Sequence, residues 1–312
     1  MQIFQDLSEI KYDKNTIVTL GTFDGIHLGH KKIIEAVVKK ATGTGCRSFV
    51  ITFYPHPRKV ISKDDSLRLL NTPLEKANAL EKLGIENLFV INFTKEFSQQ
   101  TPGEFVDKYI VNGVGVKELI IGYDHHFGKG REGNIDFLKD KAKKAGFDVT
   151  IIPEMKMGDV VISSSKIRDA ISSGSIELAN KYLGRYYSFE GKVIQGDKRG
   201  RELGFPTANL RIENEDKLLP AIGIYLVELI VNENKYYGLL SVGKRPTFYN
   251  SGEIVPEVFI YDFNKDIYGM YVTVNVIERI RGEEKFASAE ELVKQMNLDK
   301  QKGLEILSKI NN

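Results

Sequence analysis

Cysteine is nearly absent from this 312-residue chain, where Cys46 stands alone. That excludes an intrachain disulfide framework and leaves no set of thiolates for a zinc site. A single cysteine of this kind reads as a small buried apolar residue. An excess of charge is missing too. With 44 basic and 42 acidic residues the formal net charge is +2, so no global field draws the chain to nucleic acid or an anionic membrane, and any anion must be held by a local site. No apolar run approaches a membrane span, and residues 1–14 mix Asp6, Glu9, Lys11 and Asp13 with apolar positions, which is not a signal-peptide core. Internal repeats and low-complexity segments are lacking as well. These absences predict a cytoplasmic protein with no nucleic acid, no membrane and no obligate protein partner in its function.

What is present, 42% hydrophobic and 28% charged residues over 312 positions, suits a chain with substantial cores and more than one domain. Between Thr16 and Ile152, short β-rich runs at 17–20, 49–53, 88–91, 119–121 and 149–152 alternate with stretches of helical period at 73–83, 102–112 and 135–145. This alternation predicts five strands of a parallel sheet flanked by crossover helices. Ser163, Ser164 and Ser165 offer capping hydroxyls to a helix beginning near Lys166, and Gly174 and Gly184 punctuate two short helices. Beyond Gly184 the runs 187–194, 224–231, 236–242, 258–263 and 271–277 follow one another without helices, which predicts an antiparallel barrel or sandwich. A last amphipathic stretch, 289–310, reads as helical on both sides of Gly303, with Leu292, Met296, Leu304 and Leu307 to pack on that barrel. Two domains are therefore expected, 1–184 and 185–312.

All five histidines fall in loops after predicted strands: His27 and His30 after the first, His56 after the second, His125 and His126 after the fourth. Ligands of open parallel sheets bind at that rim, so the clustering points to a site. The segment Gly21-Thr22-Phe23-Asp24-Gly25-Ile26-His27-Leu28-Gly29-His30 leads from strand into helix. Two imidazoles three residues apart at a helix start can both face a polyphosphate, and glycines let the backbone approach it. The chemistry implied is stabilisation of charge developing on a phosphate, with no covalent intermediate. Ser164, Ser165, Lys166 and Arg168 form a second polar cluster suited to the β- and γ-phosphates of ATP. In the second half, Gly191, Gly196, Gly200 and Gly204 surround basic residues such as Lys198, a composition suited to a flap over phosphates. Thr207 and Asn209, alternate residues of one strand, would present two neutral oxygens to a Mg²⁺ that bridges phosphates.

The first segment resembles the GxFDGxHxGH signature of the nucleotidyltransferase superfamily, and Ile162-Ser163-Ser164-Ser165-Lys166-Ile167-Arg168 resembles its ISSSxIR element. With Thr52-Phe53-Tyr54-Pro55-His56-Pro57, the set is similar to the FMN adenylyltransferase module of bacterial bifunctional riboflavin kinase/FAD synthetases. The block from Gly191 to Asn209, with Pro206-Thr207-Ala208-Asn209 intact, resembles the riboflavin kinase signature. So do the later runs at 242–248, 256–258, 262–269 and 278–286. The resemblance implies a Rossmann-like α/β nucleotidyltransferase domain, then a mostly antiparallel β-barrel domain with a C-terminal helix. It also implies an ATP- and Mg²⁺-dependent transferase that makes FMN from riboflavin and FAD from FMN.

By the same resemblance Gly21, Phe23, Asp24, His27, His30, Ser164, Ser165 and Arg168 handle ATP in adenylylation, while His56, Pro57, Asp124 and Phe127 line the flavin side. For the kinase step Gly196, Lys198, Gly200, Gly204, Pro206, Thr207 and Asn209 handle ATP, Glu257 is the general base toward the ribityl 5′-hydroxyl, and Arg281 and Phe286 lie on the flavin side. One departure stands out: His125 occupies a position where the family has an aromatic residue. Rival readings are a chain with one live activity, a flavin-storing module and a histidine-based metallohydrolase. A dinucleotide-dependent oxidoreductase, suggested by Gly128-Lys-Gly130-Arg-Glu-Gly133, fails on context because those glycines do not directly follow a strand.

Overall fold

Apolar runs too short to make helices pair side by side in the first part of the chain. Strands β2 (Thr16–Leu20), β3 (Arg47–Tyr54), β4 (Asn87–Asn92), β5 (Glu118–Gly122) and β6 (Asp148–Ile152) fall on the expected runs. A sixth, β1 (Gln2–Phe4), was not anticipated and pairs parallel with β4; at three residues it is too short to show alternation. The sheet is parallel throughout, in the order β1-β4-β3-β2-β5-β6. The computed structural model describes residues 1–196, 204–244 and 254–310, and the chain divides into two units, Met1–Ser164 and Ser165–Asn312.

In the first unit, alternate residues of each strand feed two separate cores. Val18, Phe49, Ile51 and Leu119 pack with Val106, Ile110 and Leu138 on one face; Ile17, Val50, Leu88 and Ile120 pack with Ile34, Val37 and Leu80 on the other. Burial on both faces explains why these strands read as continuous apolar runs. The flanking helices are α1 (Leu28–Thr44), α2 (Pro57–Ile61), α3 (Pro73–Lys82) and α5 (Ile135–Ala145). Helix α3 starts at a Thr72/Glu75 capping box with Pro73 in its first turn. The stretch expected as one ordinary helix over 102–112 is instead a single α-helical turn, α4 (Pro102–Phe105), widening into a π-helix over Val106–Val114.

In the second unit, α6 (Ser164–Ser172) begins two residues earlier than expected, and α7 (Ile176–Leu183) ends at Gly184 in the left-handed conformation. Among the described residues six strands follow: β9 (Tyr187–Ile194), β10 (Thr207–Arg211), β11 (Gly223–Val231), β12 (Asn234–Lys244), β13 (Ile254–Ile260) and β14 (Tyr271–Arg281). They close into an antiparallel barrel in the order β10-β13-β12-β11-β14-β9, so of the two expected forms it is the barrel. A small hairpin of the first unit, β7 (Lys156–Met157) and β8 (Val160–Val161), precedes α6.

The last helix, α8 (Ala289–Ile310), runs unbroken through Gly303. A Cβ at Gly303 would collide with the Tyr261 hydroxyl and lie 3.4 Å from Leu226 Cδ1, so glycine permits the helix to sit close on the barrel. Ile306 and Leu307 complete that stripe at three- and four-residue spacing. Leu304, expected to pack there, turns off the stripe and is 47% exposed. No described helix is long and apolar enough to cross a membrane.

Candidate functional site

Strand β2 has β3 on one side and β5 on the other, so the direction of the winding reverses there. The crevice of such a sheet opens at the carboxyl ends of those strands. The residues after β2 make a strained turn: Phe23 and Ile26 have φ of 47° and 40°, and Gly25 has φ of 87°. Identifiable contacts hold it. The carboxylate of Asp24, 2% exposed, accepts the Leu70 and Asn71 backbone N–H groups at 3.1 and 3.0 Å. Ser164 Oγ donates to the Asp24 carbonyl at 2.9 Å, bringing together two motifs 140 residues apart.

His27 caps α1, its Nδ1 accepting the His30 backbone N–H at 3.4 Å, which leaves its ring proton on Nε2. The two imidazoles stack, centroids 3.7 Å apart and 20° from parallel, and Phe23 sits edge-on to His30 at 5.3 Å. A Cβ at Gly29 would lie 3.1 Å from the His27 ring, so the motif glycine makes room for the stack. Burial pushes the His27 value down to about 4 despite Asp24, and burial, His27 and Lys76 push His30 well below the usual imidazole range. Both rings are neutral near pH 7, and each can offer one N–H. His30 Nδ1 is buried with no partner among the described residues.

One residue of this site escaped the sequence reading. Lys76 of α3 donates from Nζ to the Thr22 carbonyl at 2.6 Å and to Thr52 Oγ1 at 3.3 Å. Burial lowers its value to about 8, partly countered by Asp24. Its one trace in the sequence is a lysine on the apolar stripe of α3, a turn before Leu80. Asp24, Thr52, His56, Asn71 and Lys76 border a cavity of about 20 Å³, room for one water, and Asn71 Oδ1 is buried without a described partner.

The other rim histidines make separate contacts. His56 caps α2, accepting the Arg58 N–H at 3.2 Å, with Pro57 opening that helix. His125 is pulled down to about 4 by burial and His126, and its ring lies 5.6 Å from Phe127. Phe127 is packed in the core with Phe105 and Phe137, and Asp124 meets His126 Nδ1 through its carbonyl at 2.9 Å. Among the described residues no group of three or more His, Cys, Asp or Glu could hold a metal, so the metallohydrolase reading lacks a ligand set there.

The barrel brings a second constellation together. Asn209 of β10 faces Glu257 of β13 in register, and Thr207, two residues away on the same strand face, donates to Glu257 Oε2 at 3.3 Å across 50 residues of sequence. A Cβ at Gly196 would strike the Asn209 amide, with Cγ 2.6 Å away, so only glycine fits beside Asn209 at this point. Gly204 takes a left-handed φ of 80° just before β10, and Pro206 is exposed. Lys198 and Gly200 lie outside the described residues, as do positions 245–248. At the far end of β14, Arg281 is paired with Asp299, and its guanidinium lies 5.7 Å from the centre of the Phe286 ring.

A family model described as FAD synthetase matches residues 9–166, and one described as riboflavin kinase matches residues 183–307. A bifunctional riboflavin kinase/FMN adenylyltransferase of Bacillus subtilis is 40% identical over 95% of this chain and 93% of its own length. The chain belongs to the bifunctional riboflavin kinase/FMN adenylyltransferase family. The Escherichia coli K12 relative of that description is 32% identical over 91% of this chain and 90% of its own length. A crystal structure described as a macrolide-efflux protein from Streptococcus pneumoniae has a TM-score of 0.87 and 33% identity, covering 96% of this chain and 97% of that one. As a member of the bifunctional family the chain is a transferase that phosphorylates riboflavin to FMN and adenylylates FMN to FAD, with ATP as co-substrate.

Proposed function

We propose that the two reactions are carried by separate residue sets, adenylyl transfer by the domain spanning 1–184 and phosphorylation by the domain spanning 185–312. In adenylyl transfer a phosphate oxygen of FMN attacks the α-phosphorus of ATP and pyrophosphate departs. His27 and His30 donate neutral imidazole N–H groups to phosphate oxygens as charge shifts toward the leaving group. The orphaned His30 Nδ1 and the N-terminus of α1 beside it support that role. Gly21, Phe23, Asp24 and Ser164 shape the ATP-facing turn, with Lys76 as its internal cation. Ser165 and Arg168 are assigned to ATP by their motif alone. His56, Pro57, Asp124 and Phe127 belong to the flavin side, Phe127 by supporting its loop from the core.

In the kinase step Glu257 takes the proton of the ribityl 5′-hydroxyl as that oxygen attacks the γ-phosphorus, the bond to the β,γ-bridging oxygen breaks and ADP departs. Gly196, Gly204 and Pro206 belong to the triphosphate side, Lys198 and Gly200 are assigned to it by their motif alone, and Arg281 and Phe286 form the flavin side. The observation that carries this assignment is Thr207 Oγ1 lying 3.3 Å from Glu257 Oε2, with Asn209 in register beside it. Hydroxyl, amide and carboxylate oxygens are the hard donors Mg²⁺ takes, so this face fits the ion, with Thr207 and Asn209 as its protein ligands. When bound, Mg²⁺ would neutralise phosphate charge.

The test separates the two sets within one chain. Glu257→Ala is expected to abolish FMN formation while FAD formation from supplied FMN persists, and His30→Ala to do the reverse, as read by chromatography of the flavins. Loss of both activities from either folded variant would refute the division of labour.

A further inference from the structure

The side chain assigned above to the kinase flavin loop is already heavily engaged. Arg281, the last residue of β14, donates from Nε to both oxygens of Asp299 at 2.9 and 3.0 Å and from Nη2 to Oδ2 at 2.9 Å. Its Nη1 donates to the carbonyl of Gly282 at 2.9 Å. Three of its five N–H groups are thus spent inside the protein, and its side chain is 14% exposed against 4% for Asp299. The guanidinium carbon lies over the Phe286 ring, 5.7 Å from its centre.

Asp299 lies midway along α8 and is itself held, accepting the Gln295 amide at 2.9 Å. Lys302, three residues on, donates to the Ile280 carbonyl at 2.9 Å. The other end of the 282–288 segment returns to the same helix: the Ala287 N–H donates to Glu291 at 3.0 Å, and Ser288 Oγ accepts the Glu291 N–H at 3.3 Å. Both ends of the loop that carries Phe286 are therefore fastened to α8, and Arg281 joins that fastening to the ring. Such a buried, bidentate pair sets geometry more than it adds stability.

We infer that Asp299 is a positioning residue for riboflavin phosphorylation, acting through Arg281 to hold the 282–288 loop and Phe286 against the flavin. The inference rests on the assignment of that loop to the flavin side. In this arrangement Arg281 works by organising the loop, and α8, although it supplies no group to the reacting phosphate, sets the affinity for riboflavin.

The test uses the full chain and steady-state kinetics of FMN formation. Asp299→Asn keeps the shape and removes the charge; it is expected to raise the KM for riboflavin about tenfold or more, the scale of one charge-assisted hydrogen bond. The KM for ATP and kcat should change little, a split that general loosening of the barrel would not produce. Arg281→Lys, which keeps the charge and loses the fork, should give the same pattern, and Asp299→Glu should recover part of the affinity. Circular dichroism and an unchanged KM for ATP in the kinase step report that the barrel of each variant remains folded. If Asp299→Asn fails to fold, Arg281→Lys carries the same test, because it leaves a cation opposite Asp299. An unchanged riboflavin KM in these variants, with a raised one in Phe286→Ala, overturns the inference while the flavin assignment stands. An unchanged KM in Phe286→Ala as well removes the flavin assignment and the inference with it.

Discussion

Replacing Lys76 by methionine should make the protein more stable and less active in FAD formation. The amino group lies under the turn that carries Asp24 and is pushed from 10.5 to about 8, chiefly by burial. A displacement of that size corresponds to about 3 kcal/mol against the charged form. The sign follows from linkage: the folded value lies below the unfolded one, so this group's contribution is complete only above pH 10.5 and is lost as the pH falls through 8. At pH 7 the folded chain carries the whole cost. Methionine has a similar length and no charge, so it removes that cost. It also gives up the bond to the Thr22 carbonyl, worth about 1.5–3 kcal/mol, although the Thr52 hydroxyl still reaches that carbonyl at 3.2 Å.

The balance is a gain of about 1 kcal/mol at pH 7, or about 2–4 °C in the melting temperature of a unit this size. The gain should shrink, and then reverse, between pH 8 and 10.5 as the wild-type lysine discharges. Without its internal cation the turn is less firmly placed, and FAD formation from FMN should fall about tenfold or more. Thermal unfolding at pH 7 and 9.5, with flavin chromatography of both steps, measures all of this, and the kinase step serves as internal control. A variant less stable than wild type at pH 7, or one whose advantage is the same at both pH values, would refute the reasoning.

Acid should weaken the first unit through His27: with a folded value of about 4 against the ordinary 6.5, its contribution is full above pH 6.5 and is lost as the pH falls through 4, about 3 kcal/mol in all. His27→Gln should therefore lose less stability between pH 7 and 4.5 in urea unfolding, and an equal loss would count against the buried neutral ring. Gly25→Ala places a Cβ 2.6 Å from Leu70 Cδ1 at a φ of +87°, and should cost about 2 kcal/mol together with most FAD formation. Gly43→Ala in α1, where a Cβ meets nothing within 4 Å, should leave both unharmed.

How much of this was legible in the sequence depended on where each signal was written. The parallel sheet could be read because strands buried on both faces stand out as apolar runs, and the antiparallel second unit because turn residues recur without helical period between them, which left barrel and sandwich both open. β1 could not, since three edge residues have no period to detect. Leu304 was misplaced for a related reason: periodicity alone did not say that Gly303 marks the line of closest approach to the barrel, and a neighbour of that glycine must point away. The same logic separates the visible from the hidden in the two sites. His27, His30, Thr207 and Asn209 lie inside compact motifs whose spacing is itself the geometry, two imidazoles across one helical turn or two side chains on one strand face. Lys76 and Asp299 reach their partners from helices more than a dozen residues away, through contacts that no local spacing encodes. A charged residue on the buried face of an amphipathic helix was the one trace each left. That trace is ambiguous in a sequence and decisive in a fold, because a buried charge must find a partner, and the partner names the element it holds. For Lys76 that element is the turn at Thr22; for Asp299 it is the loop that starts at Arg281.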